Sequence, residues 1–154
     1  MTEVGAKSGS AERWGPLWDA RPDDWALSED QQVPTYEAAL QQVALEAGER
    51  VLDIGCGAGA FLRLVADRGV ELFGLDASEA LIELARTRLP EADLRVGEME
   101  ALPYPGDTFD LVTGFNAFFF ANDMVSALRE AGRVAKPEAP VVIQVWGPAA
   151  TSRR

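Results

Sequence analysis

Three carboxylates stand where apolar runs of the chain give way to polar ones: Asp53, Asp76 and Glu98. Asp53 lies inside Val51-Leu52-Asp53-Ile54, and the chain then breaks into Gly55-Cys56-Gly57-Ala58-Gly59. Glycines at alternate positions form a tight turn that lets a ligand approach bare backbone. A carboxylate two residues before the first of them would repel a pyrophosphate and attract a cation. Asp76 closes the next apolar run, 21 residues after Gly55. An acid there can accept both hydroxyls of a ribose. Asp76-Ala77-Ser78-Glu79 also has the spacing of a capping box, so a helix-capping role stays open. Glu98 and Met99 follow a third run. A carboxylate at that point can accept from an exocyclic amine while a backbone N–H meets a ring nitrogen. A solvated acid beside Glu100 explains the same spacing. Ala77 and Met99 would offer apolar contact to the two faces of a purine.

The elements that must carry these residues alternate. Val51–Ile54 reads as a buried strand, followed by a helix over 60–68 that Gly69 closes. A strand over 70–75 leads to Asp76. The next helix runs from about Glu79 to Leu89, with Ser78 as N-cap, Leu81, Ile82 and Ala85 inward, and Pro90 as its stop. Short strands over 93–97 and 109–114, a helix over 123–135 and an apolar strand over 141–146 complete the series. Upstream, Tyr36, Leu40, Val43 and Ala44 share one face of a helix for which Gly48 is the C-cap. Residues 1–12 are small and polar and read as disordered. Residues 13–33 hold Trp14, Trp18 and Trp25 among prolines and acids, and read as a docked arm too broken for a long helix. Strands alternating with helices predict an α/β fold: a Rossmann-like, doubly wound, mostly parallel sheet with helices on both faces. Its ligand then sits at the carboxyl ends of the strands, beside the first. Domain boundaries follow: an arm or lid over 1–33, a ligand-binding domain over 34–147 and a tail over 148–154.

Composition narrows the partners. The 154 residues, 47% hydrophobic and 25% charged, suffice for one domain with a core. Net charge is −11, a field that disfavours polyanions and makes nucleic acid an improbable partner. The chain has no histidine, which excludes His-dependent triads and His-ligated metals, and no metal site is expected. The single cysteine, Cys56, fits a reducing cytoplasm. The most apolar stretch, 111–121, is too short to span a bilayer, so no membrane partner is expected.

The motifs taken together resemble the class I S-adenosylmethionine-dependent methyltransferases. Val51 to Gly59 looks like the family's first motif, and Gly74-Leu75-Asp76-Ala77-Ser78 is similar to its second-strand acidic motif. Gly97 to Pro103, Phe109-Asp110-Leu111-Val112 and Leu128 to Pro137 resemble three more in order. The likeness covers about Tyr36 to Trp146 and is nearest to the small-molecule branch of ubiquinone and menaquinone biosynthesis. It implies S-adenosyl-L-methionine as cofactor and methyl transfer to a small organic acceptor. By that resemblance Asp53, Gly55, Cys56, Gly57 and Gly59 hold the methionine end, Asp76 with Ala77 takes the ribose, and Glu98 with Met99 takes the adenine. Phe115 and Asn116 face the transfer site. Trp14, Trp25 and Tyr36 are weaker candidates from a lid over the cofactor, with ordinary packing as the alternative. Phe118 to Phe120 line an acceptor pocket or pack in the core. No catalytic base can be named.

Two departures from the family pattern stand out. Its usual Pro-Gly-Gly turn is here Pro137-Glu138-Ala139-Pro140; positive φ is costly at Glu or Ala, so another turn shape is expected. The chain ends soon after the fifth strand, so strands six and seven of the family are expected to be missing. A bare apolar edge would then favour a homodimer. Two rival readings remain: a cofactor-binding module without turnover, and a nicotinamide-dependent oxidoreductase. The early third glycine and Asp53 argue against the latter.

Overall fold

A computed structural model describes residues 9–147. Five strands form one sheet: β1 (Arg50–Ile54), β2 (Glu71–Asp76), β3 (Asp93–Val96), β4 (Leu111–Phe115) and β5 (Val141–Gln144). Their order is β3-β2-β1-β4-β5, and every pairing is parallel. The chain steps outward from β1 to β3, then returns to the other side of β1 with β4. That reversal opens a crevice at the carboxyl ends of β1 and β4.

Strand alternation builds two cores. Val51 points to one face with Phe61, Leu62, Ile82 and Leu111. Leu52 and Ile54 point to the other with Phe109, Val112 and Phe118. The first face is covered by α4 (Ala60–Val65) and α5 (Glu79–Arg88), the second by α6 (Met124–Val134). On α6, Ala127, Ala131 and Val134 fall at helical spacing and are wholly buried. Ser78 caps α5 as its position predicts, accepting from the Leu81 N–H at 3.1 Å. The 3₁₀ turn over 66–68 ends at left-handed Gly69.

The amino-terminal third departs from expectation. Residues 10–12 are helical, not disordered: α1 (Ser10–Asp19) begins there and α2 (Pro22–Glu29) follows. The cause is tertiary. The Glu98 carboxylate, from the far edge of the sheet, accepts from the Ser10 hydroxyl at 2.7 Å and the Ala11 N–H at 2.6 Å. Residues 1–8 and 148–154 lie outside the described residues. The helix expected up to Gly48 is shorter: α3 (Val33–Leu40) ends at Leu40. Gly48, at φ +87°, instead donates its N–H to the Gly69 carbonyl at 2.8 Å. The turn at 137–140 also differs from expectation, because Glu138 itself takes φ +65°. The bond from the Ala139 N–H to the Lys136 carbonyl (3.0 Å) closes it. The last strand stops at Gln144, two residues early.

Candidate functional site

The glycine turn leaves β1 with Gly55, Gly57 and Gly59 all at positive φ. A Cβ on Gly55 would collide with the Ala117 side chain, and one on Gly57 with the Glu29 carboxylate. The alternation of glycine is therefore a demand of both conformation and space. The turn hangs from β2: the Gly55 and Cys56 N–H groups donate to the Leu75 carbonyl at 2.7 and 3.1 Å. The Asp76 carboxylate accepts from the Gly57 N–H at 2.9 Å and the Ser78 N–H at 2.8 Å.

Beside this turn lies a cleft. Gly55, Asp76 and Ala77 line it from the ends of β1 and β2, Gly97 and Met99 from beyond β3, and Phe115, Asn116 and Ala117 from β4. The arm supplies the roof: Ser10, Ala11, Trp14, Trp18 and Trp25. The indoles pack on one another and on Phe120, with Trp18–Trp25 centroids 4.6 Å apart and Trp14–Phe120 4.9 Å apart. Leu75 and Leu81 add apolar wall.

Of the residues singled out in the sequence, Gly55, Asp76, Ala77, Met99, Phe115, Asn116, Trp14 and Trp25 come together on this cleft. Cys56, Gly57 and Gly59 form the turn behind it. Asp53 is 3% exposed and does not line the cleft; its Oδ1 accepts from the Thr113 hydroxyl at 2.8 Å. Glu98 also lies outside the lining, its carboxylate engaged by α1 and by the Glu100 N–H. Tyr36 is buried beneath the site against Phe115, at 4.7 Å between centroids. The three phenylalanines divide: Phe118 is core, Phe119 is exposed and Phe120 faces the cleft.

Sequence reasoning missed Trp18, Ser10, Glu29 and Gln32. Trp18 had a signal, since it stands four residues after Trp14 on one helical face. Glu29 had none. It is one acid among many in the arm, yet it is 4% exposed and accepts from the Ala58 N–H at 2.8 Å and the Ala60 N–H at 3.4 Å. Gln32 accepts from the Asn116 side-chain amide at 3.0 Å, and the buried Oδ1 of Asn116 has no partner among the described residues.

The site is strongly acidic at depth. Burial pushes the Glu29 carboxyl up to about 7, against the two N–H groups that hold it down. Burial also raises Asp53 well above the usual carboxylate range, and raises Asp76 despite its backbone donors. The arrangement suits a ligand with an apolar flat body, hydroxyls for Asp76 and a positive charge.

Comparisons with known proteins agree with that chemistry. A family described as "Methyltransferase domain" matches residues 52–143. The chain is 30% identical over 141 residues to a demethylmenaquinone methyltransferase of Renibacterium salmoninarum, covering 81% of this chain and 60% of that protein. It is 33% identical over 144 residues to a ubiquinone biosynthesis O-methyltransferase of Hahella chejuensis, covering 90% and 58%. A solved complex between the Haloferax volcanii Trm112 methyltransferase activator and a methyltransferase holds a chain that superposes with TM-score 0.77 at 31% identity, covering 82% of this chain and 57% of that one. The chain thus spans little more than half the length of these relatives. Motifs, parallel sheet and family match converge: the chain belongs to the class I S-adenosylmethionine-dependent methyltransferases.

Proposed function

We propose that the chain binds S-adenosyl-L-methionine along the carboxyl ends of its strands and transfers the methyl group to a small organic acceptor under the arm. The observation that carries this reading is the buried Asp76 carboxyl, set between a positive-φ glycine turn and an apolar slot. The residues suit the cofactor. Ala77, Leu81 and Met99 offer apolar faces to a purine, Asp76 offers acceptors to ribose hydroxyls, and Asn116 Oδ1 is an acceptor unpaired among the described residues. In this reading Asp53 and the turn of Gly55, Cys56, Gly57 and Gly59 hold the methionine end. Glu98 takes the adenine amine by sharing or releasing its bonds to α1. The domain over 34–147 carries the cofactor, and the arm over 1–33 closes on it.

The bound cofactor supplies a methyl group already activated on a sulfonium. The chain's own work is alignment and the exclusion of water. Phe115 and Phe120 give a wall against which an acceptor can be aligned, and the roof of Trp14, Trp18 and Trp25 keeps water out. Tyr36 supports Phe115 from below. No side chain needs to remove a proton where the acceptor is already nucleophilic.

Supporting the choice of a small acceptor are the net charge of −11 and the similarity to a demethylmenaquinone methyltransferase and a ubiquinone biosynthesis O-methyltransferase. A cytoplasmic setting is supported by the unpaired, buried Cys56. Among the described residues no helix is long and apolar enough to cross a membrane. Exposed Val141 on β5, with Val145 and Trp146 just beyond it, supports a homodimer through that edge.

Incubation with methyl-labelled cofactor and a metabolite extract tests the reading. Label in the small-molecule fraction is the expected result. Binding of S-adenosylhomocysteine with no transfer would favour a module without turnover. Thermal stabilisation by NADH and none by S-adenosylhomocysteine would overturn the reading.

A further inference from the structure

The deepest acids of the site surround the glycine turn from three directions. Asp53 stands two residues before it on β1, Asp76 holds its Gly57 N–H from β2, and Glu29 holds its Ala58 N–H from the arm. All three are under a tenth exposed. Each has local hydrogen-bond donors: Thr113 for Asp53, the Gly57 and Ser78 N–H groups for Asp76, and the Ala58 and Ala60 N–H groups for Glu29. Those donors are neutral. The cation that faces Glu29 is Arg88 of α5, whose guanidinium is turned to the Ala58 carbonyl at 3.3 Å. The other titratable groups facing Glu29 are Asp53, Asp76, Cys56 and Tyr36. None of these brings positive charge.

A second observation points into the adjoining cleft. Asn116 is 8% exposed and lines it, with φ +52° at the end of β4. Its amide N–H is held by Gln32, three residues after Glu29 on the arm, and its Oδ1 is buried without a donor among the described residues. An unpaired buried acceptor costs free energy until something donates to it. Three buried carboxyls and one orphan carbonyl oxygen suit a ligand group that carries both N–H donors and positive charge.

We propose that Glu29 is a positioning residue of the cofactor site, clamping the glycine turn from the arm side and completing an acidic cluster that receives the ammonium of the cofactor's amino-acid end. This rests on the cofactor reading above and goes beyond it, because it makes the arm part of the methionine subsite. Near neutral pH Glu29 is partly protonated, and an arriving ammonium favours its ionised form. Ligand binding then sends that proton to solvent. The carboxylate left behind is a better acceptor for the Ala58 and Ala60 N–H groups, so binding tightens the turn and the arm together.

Calorimetry at pH 6.5 in two buffers of different ionisation enthalpy tests this with two probes. S-adenosylhomocysteine carries the ammonium; 5′-methylthioadenosine has the same nucleoside thioether without it. Release of a fraction of a proton is expected with the first and none with the second. Glu29→Gln should bind S-adenosylhomocysteine about tenfold more weakly, release less proton, and bind 5′-methylthioadenosine as the unaltered chain does. Glu29→Asp, which keeps the charge, should recover part of the loss. Circular dichroism checks that both variants fold. Equal weakening of both probes by Glu29→Gln would reduce Glu29 to scaffolding and overturn the proposal. So would proton release that Glu29→Gln leaves unchanged. Binding of 5′-methylthioadenosine with no preference for S-adenosylhomocysteine overturns the proposal and leaves the cofactor reading standing. Failure of the unaltered chain to bind either probe overturns both.

Discussion

The Ser10 hydroxyl donates to the Glu98 carboxylate at 2.7 Å across 88 residues of chain, and this contact with the Ala11 N–H fixes where α1 begins. An acid from the sheet edge does what a local N-cap does elsewhere, since Gly9 offers no side chain at that position. Ser10→Ala should therefore loosen α1 by about 1 kcal/mol without unfolding the α/β core. Hydrogen exchange by mass spectrometry should show faster exchange over 10–19 and unchanged protection in β1 and β4. Protection lost equally in β1 would mean that the arm and core do not separate.

Most of residues 50–144, the turn at 137–140 apart, was legible because its signals are local. Asp76, Ser78 and the glycines mark their own turns, and the apolar runs mark strands whose parallel order follows from the helices between them. The arm was not legible as helix because its starting signal, Glu98, is remote in sequence. Pro16 inside α1 also argues against a helix from sequence alone. Glu29 was invisible for a related reason. Its role is set by the N–H groups of Ala58 and Ala60, and nothing in its own neighbourhood distinguishes it from Asp23, Asp24 or Asp30. Tyr36 shows the opposite limit: an aromatic near the site by sequence lies one layer beneath it, because Phe115 takes the place at the cleft.

Asp76 ties the turn, the α5 cap and the cleft together through the Gly57 and Ser78 N–H groups. Asp76→Ala should weaken S-adenosylhomocysteine binding by roughly 1–3 kcal/mol, the scale of a lost charged hydrogen-bond partner. Calorimetry with chemical denaturation alongside separates this from lost stability. An unchanged affinity would remove Asp76 from the ribose role.

Glu29, with its carboxyl raised to about 7 in the folded chain against 4.5 for an ordinary glutamate, makes stability depend on pH. The folded state holds this proton more tightly than the unfolded state. Stability from this group is therefore complete below about 4.5 and is lost as pH rises through about 7. Asp53 and Asp76 are shifted in the same direction and add to the slope. Urea denaturation between pH 5 and 8 should show falling stability, and Glu29→Gln should flatten part of that fall. A slope identical in the two chains would mean that Glu29 is ionised throughout.

Gly15 sets the α1 backbone against the Ala77 backbone just after β2. A Cβ placed there would lie 2.5 Å from the Ala77 carbonyl oxygen, backbone that cannot swing aside. Gly15→Val must therefore lift α1 from the end of β2 and carry Trp14 and Trp18 with it. Because Gly15 does not itself line the cleft, the variant tests the roof and leaves the rim of Asp76, Met99 and Asn116 in place. Indole emission should move to the red as the roof is wetted. S-adenosylhomocysteine should dissociate about tenfold faster, with a smaller change in association, since a lid governs escape more than encounter. Faster dissociation without a shift in emission would locate the effect in the Asp76–Ala77 backbone. An emission shift with unchanged dissociation would show that the indoles roof the cleft without retaining what it holds.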